Sequence, residues 1–262
     1  MNEPVLQTEP VLQEPALQSE PVLQEPVLQP EPVLRLEHLT KNYGSFRALD
    51  DLCLDLPSGR IVGLMGPNGS GKTTLIKIVS GLLKKYQGRV SICGIEPSVE
   101  TKKLVSYLPE RTYLDDSKKV SECLDFFEDF YKDFDRERAM NMLTMLGLKP
   151  DQIVKTLSKG TKEKLQLVLV MSRRARLYLL DEPIAGVDPA ARDYILNTII
   201  ANYEQSATIL ISTHLIYDVE PILDDYVFIR DGRIIMAGVA DDLRAKYGKS
   251  LDQVFREVFR CY

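Results

Sequence analysis

The sequence predicts an α/β fold organised around a phosphate-binding loop, and two observations carry that prediction. The apolar run Ile61-Val62-Gly63-Leu64-Met65 leads into Gly66-Pro67-Asn68-Gly69-Ser70-Gly71-Lys72-Thr73-Thr74, and Leu75-Ile76-Lys77-Ile78-Val79 continues with helical spacing. Strand, glycine-rich turn and helix is the context that gives a G-x-x-x-x-G-K-[ST] match its meaning. Two later apolar runs read as strands and stop abruptly in polar residues: Leu177 to Leu180 before Asp181-Glu182-Pro183, and Thr208 to Ser212 before Thr213-His214.

Glycines in the first loop let successive backbone N–H groups point inward, and the following helix adds the partial positive charge of its N-terminus. Lys72 is then placed to reach the β- and γ-phosphates, and the Thr73 hydroxyl to ligate Mg²⁺. The bland alternative is a glycine turn between a core strand and a core helix; every motif position is filled and both flanks are right, which favours the nucleotide site.

The chain has 262 residues, enough for one large α/β domain or two small ones, and an apolar fraction of 44% supports a proper core. Six glutamates and no Lys or Arg within residues 1–34 more than account for the net charge of −5, so the body is close to neutral. A near-neutral body gives no electrostatic case for nucleic acid as a partner. Cys53, Cys93, Cys123 and Cys261 form no C-x-x-C pair, which fits a reducing cytosol rather than a disulfide or metal framework. No apolar run approaches the ~18 residues of a membrane span, and no basic segment followed by an apolar one opens the chain. A soluble, cytosolic protein is expected.

Residues 1–33 are dominated by an EPVLQ repeat with a proline every five or six positions. Proline removes helix hydrogen bonds and pushes the preceding residue toward extended conformations, so a disordered or polyproline-II-like acidic tail is expected. The unit is too short and polar to stack as a solenoid, and it reads as an expanded coding repeat rather than a docking arm.

From Leu34 the pattern changes. Leu34-Arg35-Leu36-Glu37 and Leu49 to Leu56 alternate like strands, with Lys41-Asn42-Tyr43-Gly44 between them. Tyr43 suits either a strand-end aromatic or a platform for a nucleobase. Gly88 to Gly94 reads as a strand, and so does Leu104 to Leu108 before Pro109-Glu110. Helical periodicity covers about residues 118–148, with N-caps expected at Ser121 and Asp135 and a stop at Gly147. Its apolar positions, including Phe126, Phe127, Phe130 and Met145, are expected in the core. Leu157-Ser158-Lys159-Gly160-Thr161 opens a helical run from Lys162 to Ala175. In a chain that already holds a phosphate loop, a strand ending in Asp181 is where a Mg²⁺ shell is completed, and the neighbouring Glu182 can deprotonate an attacking water. His214 ends a strand in the same way; His38 has no such context.

In order and wording, these motifs resemble the nucleotide-binding domain of ABC ATPases, over about residues 34–237. The resemblance implies a P-loop NTPase of ABC type: a mixed core sheet with flanking helices, an antiparallel β subdomain, and a short helical subdomain at about 112–157. Residues 238–262 would form a short helical extension. By the same resemblance Tyr43 stacks on adenine, and Gly66, Pro67, Asn68, Gly69, Ser70, Gly71, Lys72, Thr73 and Thr74 form the Walker A loop. Glu110 stands where the family usually has the Mg²⁺-contacting glutamine of the Q-loop. Leu157 to Thr161 match the LSGGQ signature, in which Ser158 and Gly160 would bind the γ-phosphate held by a second subunit. Asp181 matches the Walker B aspartate, Glu182 the catalytic glutamate, Ala185 to Asp188 the D-loop, and His214 the switch histidine.

Two departures stand out: Glu110 in place of glutamine, and Lys159 and Thr161 within the signature. Glutamate is still a hard oxygen donor for Mg²⁺, and the serine and glycine are kept. The short insert of about 46 residues between Glu110 and the signature is similar to ABC-2-type exporters, and LSKGTKEKLQL, LYLLDEPIAGVDP and STHLIYDVEPILDD resemble small Ytr-type bacterial exporter ATPases. The implied cofactors are ATP and Mg²⁺. The implied partners are a second ATPase subunit and a separate multi-span permease, which would hold the protein on the inner face of the cell membrane. The competing expectation is a soluble or regulatory ABC ATPase that does not drive transport directly.

Overall fold

A computed structural model describes residues 31–259, so the repeat tail lies outside the described residues except for its last three positions. Val33 is already packed: it is 1% exposed and its N–H donates to the Leu56 carbonyl at 2.8 Å.

The first layer is an antiparallel sheet in the order β2-β1-β4, formed by β1 (Leu34–Tyr43), β2 (Phe46–Leu56) and β4 (Gln87–Ile92). Strict alternation in β1 fails at His38, whose φ of 52° marks a register shift between Leu36 and Leu39. The extra residue puts Leu34, Leu36 and Leu39 on one buried face, where period-two patterning alone would send Leu39 outward.

The second layer is a six-stranded sheet, β5-β6-β7-β3-β8-β9, with β3 (Ile61–Met65), β5 (Val105–Leu108), β6 (Leu177–Asp181), β7 (Thr208–Thr213), β8 (Asp225–Arg230) and β9 (Arg233–Val239). All its pairs are parallel except β8 with β9. Helices cover it: α1 (Lys72–Val79), α2 (Val99–Leu104), α3 (Val120–Phe130), α4 (Arg136–Met145), α5 (Lys159–Met171), α6 (Pro189–Asn202), α7 (Ile216–Val219), α8 (Ala240–Tyr247) and α9 (Leu251–Phe259). Alternate residues of the central strands enter two separate cores. Tyr178, Leu180, Ile209 and Ile211 pack with α3, α4 and α5, whereas Leu177, Leu179 and Leu210 pack with α1 and the antiparallel sheet. Burial on both faces is why these strands read as continuous apolar runs.

Several local expectations are corrected. Leu104 closes α2, and the strand begins at Val105. Ser121 lies inside α3; the N-cap is Lys119, whose N–H is accepted by Glu122 Oε2 at 2.7 Å. Asp135 does cap α4, accepting the Arg138 N–H at 2.9 Å, and Gly147 follows its end with φ 67°. Within the aromatic stripe only Phe127 is buried; Phe126 and Phe130 are 54% and 69% exposed, and Met145 is exposed as well. Phe126 and Phe130 lie one turn apart on α3, off the face of Val120, Cys123, Leu124 and Phe127, and pack on each other with ring centroids 4.5 Å apart. Helix α5 starts at Lys159, ahead of the expected Lys162, because Ser158 Oγ accepts the Thr161 N–H at 3.2 Å, and it ends at Met171. Residues beyond β9 form α8 and α9, and Phe255 and Phe259 of α9 stack on each other and pack edge-on against Phe228.

Candidate functional site

Parallel pairing sets the site. Met65 at the end of β3 pairs with Thr213, and Asp181 at the end of β6 pairs with Ser212. The three segments that follow, Gly66 to Gly71, Glu182 to Asp188 and His214 onward, therefore leave the same carboxyl edge of the sheet, where ligands of open α/β sheets bind. Between them lies a cleft of about 400 Å³ lined by Tyr43, Phe46, Ala48, Asn68, Gly69, Ser70, Gly71, Lys72, Thr73, Thr74, Glu110, Glu182, Ala185 and His214.

The loop wraps into α1 through Gly71, whose φ of 108° is open to glycine and strained for any other residue. A Cβ there would lie 2.7 Å from the Ala48 carbonyl oxygen, so the close approach of β2 also requires glycine. Gly66 and Pro67 stay out of the cleft lining but supply the carbonyls that accept from Lys72 Nζ, at 2.8 and 3.3 Å. Lys72 is 6% exposed and 3.5 Å from Glu182 Oε1. Burial pushes its pKa below the ordinary lysine value, opposed by the charge of Glu182.

Asp181 is 1% exposed. Its Oδ1 accepts from Ser212 Oγ at 2.6 Å and from Thr73 Oγ1 at 3.1 Å. Burial raises its pKa, and the two hydroxyls pull it back. Asp181 Oδ2 and Ser70 Oγ are buried with no hydrogen-bond partner among the described residues. An orphaned carboxylate oxygen beside the Thr73 hydroxyl is a hard-oxygen donor set that fits Mg²⁺.

Glu182 has φ 52°, held by its N–H, which donates to both the carbonyl (3.0 Å) and the Oγ (3.1 Å) of Ser212. Its Oε2 accepts from His214 Nδ1 at 3.0 Å. One carboxylate is thus shared by Lys72 and His214.

Tyr43 stands at the tip of the β1–β2 hairpin, 46% exposed, with the Lys41 ammonium 4.8 Å from its ring centroid. Asp181, Ser158 and Gly160 also stay out of the cleft lining; Asp181 meets it through the Thr73 hydroxyl, whereas Ser158 and Gly160 lie at the start of α5. Ser158 is exposed at the start of α5, its Oγ 2.7 Å from Thr161 Oγ1.

Sequence reasoning passed over three contributors. Phe46 pairs with Tyr43 across the hairpin turn and is 60% exposed. Ser212 anchors both acids; its signal was a polar residue following the buried apolar run Ile209 to Ile211. Gln166, buried on α5, holds the segment that carries Glu110: its Oε1 accepts the Tyr113 N–H at 3.2 Å and its Nε2 donates to the Pro109 carbonyl at 3.3 Å.

A glycine loop at a helix N-terminus, a buried aspartate beside the loop threonine and a glutamate–histidine pair at one sheet edge define a nucleotide-binding P-loop ATPase. Comparison with known proteins narrows the class. The ABC transporter family profile matches residues 49–185. The Bacillus subtilis SkfA peptide export ATP-binding protein SkfE is 31% identical, covering 77% of this chain and 87% of that one. The ABC transporter ATP-binding protein YtrB of the same organism is 29% identical over 82% of this chain and 74% of its own length. A solved structure of the ATP-binding subunit of an ABC transporter superposes with a TM-score of 0.77 at 30% identity, covering 86% of this chain and 99% of that chain. The chain belongs to the ABC transporter family, as an ATP-binding and ATP-hydrolysing member.

Proposed function

We propose that the chain is the ATPase subunit of an ABC exporter, working as one of two copies that close around ATP and energise a separate membrane permease. The observation that carries this reading is the position of Ser158 and Gly160. Both are signature residues, both stay out of the cleft lined by Lys72, and Ser158 is exposed to solvent. The cleft of one copy is then half a site, completed by the signature of a second copy, so ATP binding closes the pair and hydrolysis releases it.

Tyr43 offers an aromatic face to the base, and the Gly69 to Thr74 backbone and Lys72 receive the phosphates. Thr73, Asp181 and Glu110 would hold Mg²⁺, which supplies charge neutralisation of the phosphoryl oxygens. Glu182 takes a proton from the attacking water, and the His214 N–H orients the Glu182 carboxylate. On nucleotide entry Lys72 exchanges the carbonyls of Gly66 and Pro67 for phosphate oxygens, which compensate its buried charge.

The export assignment is supported by the likeness to SkfE, a protein of peptide export. No helix among the described residues is long and apolar enough to cross a membrane, so the reading requires a separate permease and places this chain on the cytoplasmic face through it. The cleft lined by Tyr113, Leu114, Phe126, Phe127 and Leu169 together with the charged Asp115, Lys118, Glu122, Asp125 and Asp129 is the proposed seat of a permease helix.

The test is a tagged Glu182→Gln chain recovered from gently solubilised native membranes with ATP and Mg²⁺. The expected result is ATP-dependent dimerisation, turnover lower by roughly 10²–10⁴, and co-purification of one multi-span protein. Wild-type turnover would sink the role of Glu182, and recovery of soluble partners alone would favour a regulatory ATPase over a transporter.

A further inference from the structure

The segment after Glu182 and the turn after His214 leave neighbouring strands, and one side chain ties them together. Arg192, near the start of α6, donates from Nε to the Val187 carbonyl at 3.3 Å and from Nη1 to Asp218 Oδ2 at 2.8 Å. Val187 continues the loop begun by Glu182, and Asp218 lies in α7, four residues beyond His214. The two charged side chains are 26% and 27% exposed, an ion pair whose worth to stability alone is small.

What the link holds is orientation. The His214 imidazole is 42% exposed, and Glu182 is its hydrogen-bonding partner among the described residues. Its direction therefore depends on the backbone around it. Ile216 and Val219 anchor α7 in the core at 2% and 0% exposure, and only Leu215 separates α7 from His214. A planar guanidinium can serve a carbonyl and a carboxylate at once with fixed geometry, which an ammonium cannot.

We propose that Arg192 is a positioning residue: by bridging the Val187 carbonyl and Asp218 it keeps the loop of Glu182 and the turn of His214 in register, and so holds the imidazole against the Glu182 carboxylate during ATP hydrolysis. This rests on the roles proposed above for Glu182 and His214. Neither Arg192 nor Asp218 lines the nucleotide cleft, so the effect belongs to the chemical step and not to nucleotide affinity.

The test uses the full chain and compares Arg192→Ala, Arg192→Lys, Asp218→Asn and the double variant Arg192→Ala/Asp218→Asn. Steady-state kcat and KM for ATP with Mg²⁺ are measured beside equilibrium binding of a non-hydrolysable ATP analogue. Each of Arg192→Ala and Asp218→Asn should lower kcat by about ten- to a hundredfold, as small misplacements of catalytic groups do. Analogue affinity should stay at the wild-type value, Arg192→Lys should recover part of the loss, and the double variant should be no slower than the worse single. Asp218→Asn keeps the side-chain shape and carries the same test if Arg192→Ala does not fold. A wild-type kcat in Asp218→Asn, analogue affinity falling in step with kcat, or fully additive losses would each overturn the proposal. Glu182→Gln run in parallel separates the two readings. If it turns over normally, the catalytic role of Glu182 fails; if it is inactive while the Arg192 and Asp218 variants are unimpaired, only the positioning role fails.

Discussion

Replacing Ser212 by alanine is the sharpest probe of how the site is held. Ser212 is fully buried, and its Oγ donates to Asp181 Oδ1 at 2.6 Å while accepting the Glu182 N–H at 3.1 Å. Glu182 keeps a partner after truncation, because its N–H also reaches the Ser212 carbonyl at 3.0 Å. The loss therefore falls on Asp181, left with the Thr73 hydroxyl on Oδ1 and an orphaned Oδ2. A hydrogen bond to a buried charged group is worth about 1.5–3 kcal/mol. For a chain of this size that corresponds to a Tm lower by roughly 3–12 °C.

The pH dependence follows from the sign of the Asp181 shift. Burial raises its folded-state pKa, and Ser212 and Thr73 lower it, so removing Ser212 raises it further. A carboxyl raised in this way favours the folded chain below its unfolded value, and that contribution is lost as pH rises through the folded value. The Ser212→Ala deficit is therefore largest at neutral pH and narrows on acidification. Thermal unfolding of the nucleotide-free chain, followed by circular dichroism from neutral to mildly acidic pH, reads both effects. An unchanged Tm at neutral pH, or a deficit that widens toward acid, would refute the reasoning.

Tyr43→Ala should weaken ATP binding by about 1–3 kcal/mol, the worth of one base–aromatic stack, while inorganic tripolyphosphate binds as before; titration calorimetry with both ligands checks this, and equal losses for the two would contradict it. Gly71→Ala should destabilise the chain by at least about 1–3 kcal/mol through left-handed strain, with added overlap against Ala48 and Leu49, and should abolish nucleotide binding. Urea unfolding gives the first quantity and analogue binding the second; a wild-type midpoint would mean the loop relaxes freely.

The strand, loop and helix around Lys72 were legible in the sequence because their signals are local. Ile61 to Met65 is a strand with the expected bounds, and the loop runs directly into a helix. The acids and histidine were legible for a related reason: a polar residue that abruptly ends an apolar run marks the rim of a buried sheet. Where signals depended on what lies opposite, reading failed. Phe126 and Phe130 share the helical spacing of Phe127, yet only Phe127 meets the core. The bulge at His38 has no mark in the alternation of Leu34 to Glu37, and Ser121 had a capping side chain but lost the cap to Lys119 and Glu122.

By itself, then, the sequence determined the chemistry available and the order in which it is strung: a phosphate loop, a serine at the head of a helix, two acids and a histidine, each at the edge of a recognisable element. The tertiary structure alone decided which of these meet. Lys72 lies more than a hundred residues before Glu182 and His214, and the three converge because parallel pairing aligns Met65 with Thr213 and Asp181 with Ser212. It also left Ser158 and Gly160 outside that convergence and set Arg192 between Val187 and Asp218. Register between distant strands is set by the packing of both sheet faces at once, a property no single window of sequence contains.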